Sequence, residues 1–529
     1  MTRSRSQSLQ NPPEKPVSSP LASDNSECSE KTGPWDEEAL RQFNQINLSS
    51  LIKIASRLKN KPCTPLIQNT RFDRSNILIF LSFENDPAKW VAQFPLMGGK
   101  GVPGNEELLA EQMDSMVATM KYVAEKTSIP VPKVHHWESN SLNEFGRPHI
   151  IMDAPRGSTL YDLERAGADM DTIIERLSSF IEQWAKYHAE LTNLRSDQIG
   201  SLTPDGTIAP LCSPANLHFS ALLDGSNFRG PFSSVAEYLL TISEYKCRAL
   251  ASSSVGHSYH IFLQNKILAS MIPFFVDGGF VNGPFVLKHH NWGLENLSVD
   301  EKDGFRICGV MGWEFASVVP LQSQMGLPES LTLEELQTGK KDKEQLSNWK
   351  AKLARKYSEL YKTVYLQHLR ILGLDYPVHL ISNGHYFANF EKAMSIGCKE
   401  DCFTRLWTYI YGKRLHWQDI IQKLESSDWG MAMAERFLSV DTEDDEGDKN
   451  TIIVSHSRPQ TQATFRPCWK PKVKWRVRIV NRLRWGWWRI ERCLLCHWGE
   501  QRFKLLMGTR RKVTMSEIVH NEFVGHKDV

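Results

Sequence analysis

The stretch of sequence that decides the fold is residues 287–300, which read LKHHNWGLENLSVD. Two short apolar runs enclose a polar centre, which is the pattern of a strand, a loop and a second strand. A further conspicuous segment, VMGWEFA, follows at residues 310–316. Asp303-Gly304 lies between the two segments and is typical of a tight hairpin turn. The sequence therefore predicts a compact β-rich insert at 286–316 that presents a polar loop.

Toward the N terminus, the sequence alternates strand and helix patterns. β-Branched and aromatic residues are dense in 75–83 and in 90–95, with turn residues at 84–87, which indicates two strands. Apolar residues then recur at helical spacing over 105–126, and another strand-like run lies at 148–152. This part of the chain predicts a small β-rich lobe.

Toward the C terminus, helical periodicity dominates. Apolar residues recur every three to four positions in four long segments, at 171–194, 234–251, 347–372 and 404–424. A small β-rich part followed by a larger, mostly helical part predicts an α+β fold with two lobes.

Several of these segments, in the same order, resemble motifs of the aminoglycoside phosphotransferase and choline kinase family, in the form found in fungal phosphotransferase-domain proteins. Residues 287–300 resemble the family's catalytic loop, H-x-D-x-x-x-x-N, and residues 310–316 resemble its I-D-W-E segment. Further matches lie at 117–123 with 129–132, at 146–152 with Gly157 and Leu160, at 187–191 and at 199–202. The resemblance covers roughly residues 50–430 and implies a two-lobed, protein-kinase-like α+β fold.

Phosphate transfer in such a fold depends on positioning and charge neutralisation more than on covalent chemistry. An Asp accepts the proton of the substrate hydroxyl, and an Asn and a second Asp hold magnesium. A Lys or Arg grips the nucleotide phosphates, and a Glu orients that cation. The resemblance places these roles, in this order, at Asn291, Asn296, Gly312, Gln93 and Met116.

Four of these positions carry residues that do not suit the chemistry. Asn291 is an amide and cannot act as a general base, which is a loss of roughly 10²–10⁴-fold. Gly312 has no side chain with which to bind a metal. Gln93 is uncharged where a phosphate-binding cation is expected, and Met116 offers no anionic partner. The sequence therefore predicts a catalytically impaired protein, a pseudokinase of the phosphotransferase type.

The remaining residues of the expected site are retained. The resemblance implies that His289 braces the catalytic loop and that Asn296 and Glu314 are the surviving candidate metal ligands. It also implies that a bound nucleotide would contact Gln93, Met152 and Asn296. ATP and magnesium are accordingly the candidate cofactors.

Three functions remain open at this point. The first is a binding or scaffolding protein that takes a small molecule or a protein in the cleft between the lobes. The second is an active ATP- and magnesium-dependent kinase that phosphorylates a hydroxyl group, with a displaced base or a metal held by Glu314, Asn296 and Asp300. The third is adenine-nucleotide binding without turnover.

Composition narrows the class of protein further. The chain has 529 residues, 41% of them apolar, and a formal net charge of +2, so it can bury two lobes and has no general attraction to polyanions. The sequence contains no run of about eighteen apolar residues, so it predicts no membrane-spanning helix. The Ser- and Pro-rich segment 1–34 lacks the apolar core of a secretory signal, and the ten cysteines are scattered. The scattered cysteines fit a reducing compartment, and the resemblance to fungal members of the family implies a cytoplasmic protein.

The sequence predicts five regions along the chain. They are a disordered tail at 1–34, an N-lobe with preceding helices at 35–155, a helical C-lobe at 156–440, an acidic linker at 441–465 and a basic, Trp-rich extension at 466–529.

The basic extension leaves several interpretations open. Arg and Lys alternate with Trp and aliphatic residues, which suits an anionic membrane surface contacted by 466–498, although stacking on single-stranded nucleic acid uses the same residue types. No specific nucleic-acid motif is present, and a poorly specified extension remains an alternative. The pair Cys493 and Cys496 lacks further ligands at zinc-binding spacing.

Overall fold

The computed structural model describes ten stretches of the chain, and the two flanking segments and several internal ones lie outside them. The described residues are 34–73, 75–98, 102–103, 105–212, 229–251, 258–332, 348–394, 403–404, 406–408 and 416–425. They divide into two compact units. One contains the residues up to Glu106 together with Val134–Ala154, and the other contains Glu107–Lys133 and the residues from Pro155 onward. The tail at 1–33, the acidic linker and the basic extension fall outside the described residues.

The first unit is a five-stranded antiparallel sheet with two helices. Its elements are α1 (Pro34–Phe43), α2 (Leu48–Lys59), β1 (Cys63–Phe72), β2 (Asn76–Phe83), β3 (Asp86–Pro95), β4 (Val134–Glu138) and β5 (His149–Asp153). The strand order is β1-β2-β3-β5-β4, so β3 is central. The strands at 75–83, 90–95 and 148–152 lie close to where the sequence predicts them, whereas β1 and β4 are additional.

One face of this sheet is buried beneath helix α2. In β2 the alternate residues Ile77, Ile79 and Leu81 are fully buried, as expected of a strand with one face in a core. Leu51 and Ile54 of α2 belong to the same hydrophobic cluster. Burial of these side chains stabilises the unit by roughly 1.5–3 kcal/mol for each residue.

The second unit is mostly helical and contains three small sheets. Its first part consists of α3 (Glu106–Lys126), β6 (Ser158–Thr159), α4 (Leu160–Arg165), α5 (Met170–Glu175), α6 (Ser178–Asn193), β7 (Arg195–Ser196), β8 (Ser201–Leu202) and β9 (Ile208–Ala209). Its second part consists of α7 (Val235–Ala251), α8 (Ser258–Phe275), β10 (Phe285–Lys288), β11 (Leu297–Asp300), β12 (Arg306–Val310), β13 (Ser317–Pro320), α9 (Leu321–Gln324), α10 (Asn348–Ile371), α11 (Val378–Met394) and α12 (Trp417–Glu425).

The centre of this unit is the packing of α6 against α10. Tyr357, Tyr361 and Tyr365 are buried on one face of α10, because residues four apart share a face of a helix. Trp184 of α6 is fully buried and meets the Tyr361 ring edge-on, with centroids 5.2 Å apart. The segment predicted as a single helix at 171–194 is in fact two, α5 and α6. Leu177, which is fully buried, lies at the break between them.

The β-rich insert supplies two of the small sheets. Strand β10 pairs antiparallel with β13 and β7, and β11 pairs antiparallel with β12 and β6. The chain turns between β11 and β12 through a 3-10 helix at Glu301–Asp303, followed by Gly304 at φ +60°. The predicted hairpin is therefore present, and the loop between β10 and β11 carries the residues of the expected site.

The order of elements is that of a two-lobed, protein-kinase-like α+β fold, which confirms the predicted fold class. Within the described residues, no helix is both long and apolar enough to cross a membrane.

Candidate functional site

His289 follows strand β10 and is buried inside the second unit, with a side chain that is 1% exposed. The ring of Trp313 meets it edge-on with centroids 4.4 Å apart, and that of Trp292 does so at 5.5 Å. Burial lowers the pKa of His289 to about 4, against the opposing effect of backbone groups of Met311 and Asn291. The imidazole is thus neutral at physiological pH, and it packs where the resemblance expects a brace.

Asn291, which the resemblance assigns to the position of the catalytic Asp, is half-buried. Its hydrogen bonds to the described residues run through its backbone. The N–H donates to the His289 carbonyl (2.8 Å), and the Asn291 carbonyl accepts from the N–H of Gly293 (2.8 Å). It also accepts from Nδ2 of Asn296, again at 2.8 Å. Hydrogen bonds among its own residues therefore hold the loop. The side chain that Asn291 offers there is an amide.

Asn296 joins this loop to the segment that contains Gly312. The side-chain amide of Asn296 donates to the backbone carbonyl of Asn291. The backbone carbonyl of Asn296 accepts from the N–H of Met311 (2.9 Å). The amide nitrogen is committed to the loop, so the Oδ1 atom is the candidate metal ligand that the resemblance implies. This oxygen is turned toward Gly312.

Gly312 is the position to which the resemblance assigns a metal-binding Asp, and a side chain there would have to displace that of Asn296. Its φ is +79°, a left-handed conformation that residues with a Cβ rarely adopt. A Cβ built there would lie 2.7 Å from Oδ1 and 2.9 Å from Nδ2 of Asn296. The side chain of Asn296 thus stands against the place that a carboxylate would need.

Glu314 contacts helix α3, the helix that carries Met116. The backbone carbonyl of Glu314 accepts a hydrogen bond from Nε2 of Gln112, at 3.4 Å. Met116 lies one turn further along α3 and is 5% exposed, so it belongs to the hydrophobic core of this helix. No carboxylate is offered by α3 at the position that the resemblance assigns to the orienting Glu.

Gln93 and Met152 belong to the first unit and lie on neighbouring strands. Gln93 of β3 is 5% exposed, and its Nε2 donates to Oδ1 of Asn76 on β2, at 3.0 Å. Met152 of β5 pairs with Val91 of β3 and is 9% exposed. Gln93, to which the resemblance assigns the role of the phosphate-binding cation, is therefore a buried amide that hydrogen-bonds within the sheet. The partner Asn76 gave no signal in the sequence.

The second unit also contains a buried polar chain behind the loop that sequence patterns did not reveal. The indole N–H of Trp292 donates to the Tyr361 hydroxyl (3.2 Å), which lies 2.9 Å from Nδ1 of His188. Burial lowers the pKa of His188 to about 3, so this imidazole is neutral. The ring of Tyr365 stacks on it with centroids 4.4 Å apart. Tyr361 and Tyr365 show only helical spacing in the sequence, which predicts core packing and no more.

The residues do not fit a magnesium pair. Magnesium needs several oxygen ligands in near-octahedral geometry, mainly carboxylates. Gly312 contributes none, and the Asp300 carboxylate accepts from the backbone N–H of Lys302 (3.0 Å), capping the turn after β11. Across the described ranges, no group of three or more His, Cys, Asp or Glu side chains has the geometry to hold a metal ion.

Comparisons with known proteins give partial matches. No family model matches the chain. Two curated proteins named Altered inheritance of mitochondria protein 9, mitochondrial, are similar over 102 residues, with 30% identity in Kluyveromyces lactis and 28% in Lachancea thermotolerans. Each match covers 18% of this chain and only 16% of the relative's length.

Among solved structures, the chain is similar to small-molecule phosphotransferases. A thermostable mutant of aminoglycoside phosphotransferase APH(4)-Ia has 13% identity and a TM-score of 0.36, covering 68% of this chain and 99% of that one. An ethanolamine kinase from Plasmodium vivax has 10% identity and a TM-score of 0.30, covering 66% and 82%. A glucosamine kinase has 12% identity and a TM-score of 0.30, covering 68% and 94%.

Proposed function

We propose that this protein is a binding or scaffolding member of the kinase-like fold that does not transfer phosphate. The observation that carries the proposal is the backbone at Gly312. A Cβ there would lie 2.7 Å from Oδ1 of Asn296, so the position has no metal-binding carboxylate, and a side chain placed there would have to displace that of Asn296. Without a metal ligand at this point, the negative charge of a transferring phosphoryl group is not neutralised.

Two further features support the proposal. Asn291 cannot take a proton from a substrate hydroxyl at neutral pH, because an amide is not a base. Gln93 is an uncharged side chain that is 5% exposed and hydrogen-bonded to Asn76, so it does not supply a cation for phosphates. The ligand of such a protein is a small molecule or a protein partner, and binding of adenine nucleotide without turnover is compatible with the proposal.

The alternative is an active ATP- and magnesium-dependent phosphotransferase that acts on a hydroxyl group. It requires a base other than Asn291 and a metal site that uses Asn296 without Gly312. The experiment below separates it from the proposal.

Thermal-shift titration of the full-length protein with ATP, with and without magnesium, tests both functions. A ligand that binds only the folded state raises the melting temperature by mass action. At a hundredfold excess over Kd it adds about 2.7 kcal/mol to the free energy of unfolding. We expect no magnesium-dependent shift and no ADP release with hydroxylated substrates. A magnesium-dependent shift accompanied by ADP release would establish the enzyme and overturn the proposal. A shift with ATP alone, without ADP release, would support nucleotide binding without turnover.

The compartment and the extension add two further proposals. The matched yeast proteins are named mitochondrial, so we include the mitochondrion beside the cytoplasm as a candidate location. The Arg- and Trp-rich segment 466–498 suits contact with an anionic membrane surface. Fractionation of cells and sedimentation with anionic vesicles test the two proposals separately.

A further inference from the structure

The side chain of Trp292 joins the loop of residues 289–296 to the interior of the second unit. Trp292 follows Asn291 directly and is partly buried. Its indole N–H donates to the hydroxyl of Tyr361 on helix α10, at 3.2 Å. Its ring also lies near those of His289 and His188, with centroids 5.5 Å and 6.0 Å away. The loop is therefore attached through one side chain to a helix that is remote in sequence.

The direction of the hydrogen bonds behind Trp292 follows from the chemistry of the groups. An indole nitrogen can only donate, so the Tyr361 oxygen accepts from Trp292 and its own hydrogen remains for Nδ1 of His188, 2.9 Å away. Tyr361 is fully buried, and donation by His188 instead would leave the hydroxyl hydrogen without an acceptor, which is unfavourable. His188 therefore carries its single proton on Nε2.

The far end of this chain is fixed by packing. His188 lies on helix α6 and is 4% exposed, and the Tyr365 ring stacks on its imidazole at an interplanar angle of 11°. Burial lowers the pKa of His188 to about 3, and hydrogen bonding to the backbone and side chain of Gln324 opposes the decrease. The imidazole is thus a neutral acceptor that is held between two helices.

Backbone hydrogen bonds couple the Trp292 side chain to the rest of the loop. The N–H of Asn291 donates to the carbonyl of His289, and the N–H of Gly293 donates to the carbonyl of Asn291. The second of these bonds spans Trp292. A displacement of the indole therefore strains the turn that contains Asn291 and Gly293.

We propose that Tyr361 and His188 are positioning residues, which hold Trp292 and thereby the loop of residues 289–296 in one conformation before any ligand binds. A loop that is ordered in advance loses less conformational entropy on binding. The role of the loop in binding rests on the proposed function, whereas its dependence on Tyr361 and His188 does not.

The full-length Tyr361→Phe variant tests the first of these residues, because it removes the hydroxyl and keeps the buried ring. Fluorine NMR of protein labelled with 5-fluorotryptophan reports on Trp292. The chain has 16 tryptophans, so the Trp292 signal is assigned by its loss in Trp292→Phe. We expect this signal to shift in Tyr361→Phe. The amides of the loop should exchange with deuterium about fivefold faster, which is the factor that the loss of one ordinary hydrogen bond produces.

Tyr365→Phe is the matched control. Tyr365 lies one turn further along α10 and is 1% exposed, but its hydroxyl contacts Thr192 (2.8 Å) and the sulfur of Met325. This variant should keep the Trp292 signal and the exchange of the loop as in wild type, even where it lowers the melting temperature as much as Tyr361→Phe. Equal changes in the two variants, or an unchanged Trp292 signal in Tyr361→Phe, would overturn the proposal.

Two substitutions at His188 test the chain from its other end, and they serve also if Tyr361→Phe does not fold. His188→Leu leaves the Tyr361 hydroxyl without its acceptor and should shift the Trp292 signal, whereas His188→Gln supplies a side-chain oxygen and should shift it less. An equal shift in both, or none in His188→Leu, would show that the acceptor at this position does not control Trp292. Neither readout needs a bound ligand or ADP release, so the result is separate from the test of the proposed function.

Discussion

Two sets of residues at the candidate site differ in how they are held. His289 and Trp313 form a frame of buried rings, and Asn291 and Gly312 are the candidate reactive positions. His289 and Trp313 are each 1% exposed, and their rings pack edge-on 4.4 Å apart. Asn291, by contrast, is half-buried and its hydrogen bonds use the backbone, while Gly312 has no side chain at all. The difference shows that a frame of this kind is required by packing alone, because the same buried rings stabilise the fold whether or not any phosphate is transferred.

Replacement of a frame residue should have the largest effect on stability. We expect Trp313→Ala to lower the free energy of unfolding by about 3–5 kcal/mol, because it empties a buried site beside His289. Urea unfolding measures the loss. Leu240→Ala is the control in the same unit, since Leu240 is 52% exposed, and it should change the free energy by no more than about 0.5 kcal/mol. A Trp313→Ala loss as small as that of the control would mean that the frame is not a packed core.

The closed backbone at Gly312 should produce the next largest effect. We expect Gly312→Ala to cost about 2–4 kcal/mol, because left-handed strain is added to a contact with Asn296. Gly167→Ala is a matched control, since Gly167 has the same φ of +79° with nothing within 4 Å of its built Cβ. It should cost only the strain, about 1–2 kcal/mol.

A double variant isolates the contact itself. In the Asn296→Ala background, Gly312→Ala should cost no more than Gly167→Ala costs in wild type, because the two side chains then no longer compete for space. Equal losses in Gly312→Ala and Gly167→Ala would contradict a closed backbone. They would also reopen this position to a metal-binding carboxylate.

The buried imidazole of His289 should make the frame sensitive to acid. Burial lowers its pKa from 6.5 to about 4, so its contribution to stability is fully present above pH 6.5 and is lost as the pH falls toward 4. The full shift corresponds to roughly 3 kcal/mol. His289→Leu should therefore unfold with a smaller dependence on pH between 6.5 and 4 than wild type, in urea melts at a series of pH values.

His149 of the first unit allows the same comparison between units. Burial also lowers its pKa to about 4, so His149→Leu should remove a similar part of the acid sensitivity. The double variant should be less pH-dependent than either single variant. Unchanged acid sensitivity in His289→Leu would show that its imidazole is not desolvated in the folded protein.

The two kinds of position also differ in what the sequence alone can predict. The density of β-branched and aromatic residues in 75–83 and the turn residues at Asp303-Gly304 predicted strands and a hairpin that are present, because composition and turn chemistry are local properties. Strands β1 and β4 were missed, and the helix at 171–194 was predicted without its break. Leu177 lies at this break and is fully buried, so packing in the interior of the larger unit, and not the local sequence pattern, determines where the helix is interrupted.

The sequence supplied candidate site residues, and their geometry could not be predicted from it. The resemblance assigned Asn291 and Gly312 to positions where the family has carboxylates, and these assignments stay predictions. The φ of +79° at Gly312 and its contact with Asn296 arise from the path of two separate segments, which no single segment encodes. The chain from Trp292 through Tyr361 to His188 joins residues far apart in sequence, and for the same reason sequence patterns did not reveal it.

Restoring the acid at the reactive position should have the smallest effect. Asn291→Asp changes a half-buried side chain whose loop is held by backbone hydrogen bonds, so we expect a change of no more than about 0.5 kcal/mol in the free energy of unfolding. We also expect no ADP release from ATP and magnesium in a coupled assay, because a general base does not replace the missing metal ligand.

The double variant with Gly312→Asp adds a carboxylate at the second position, but this side chain would collide with that of Asn296. The double variant should therefore lose stability as Gly312→Ala does and should also release no ADP. ADP release from Asn291→Asp alone would show that one substitution separates the frame from an active site, and that the closed backbone at Gly312 is no barrier to catalysis.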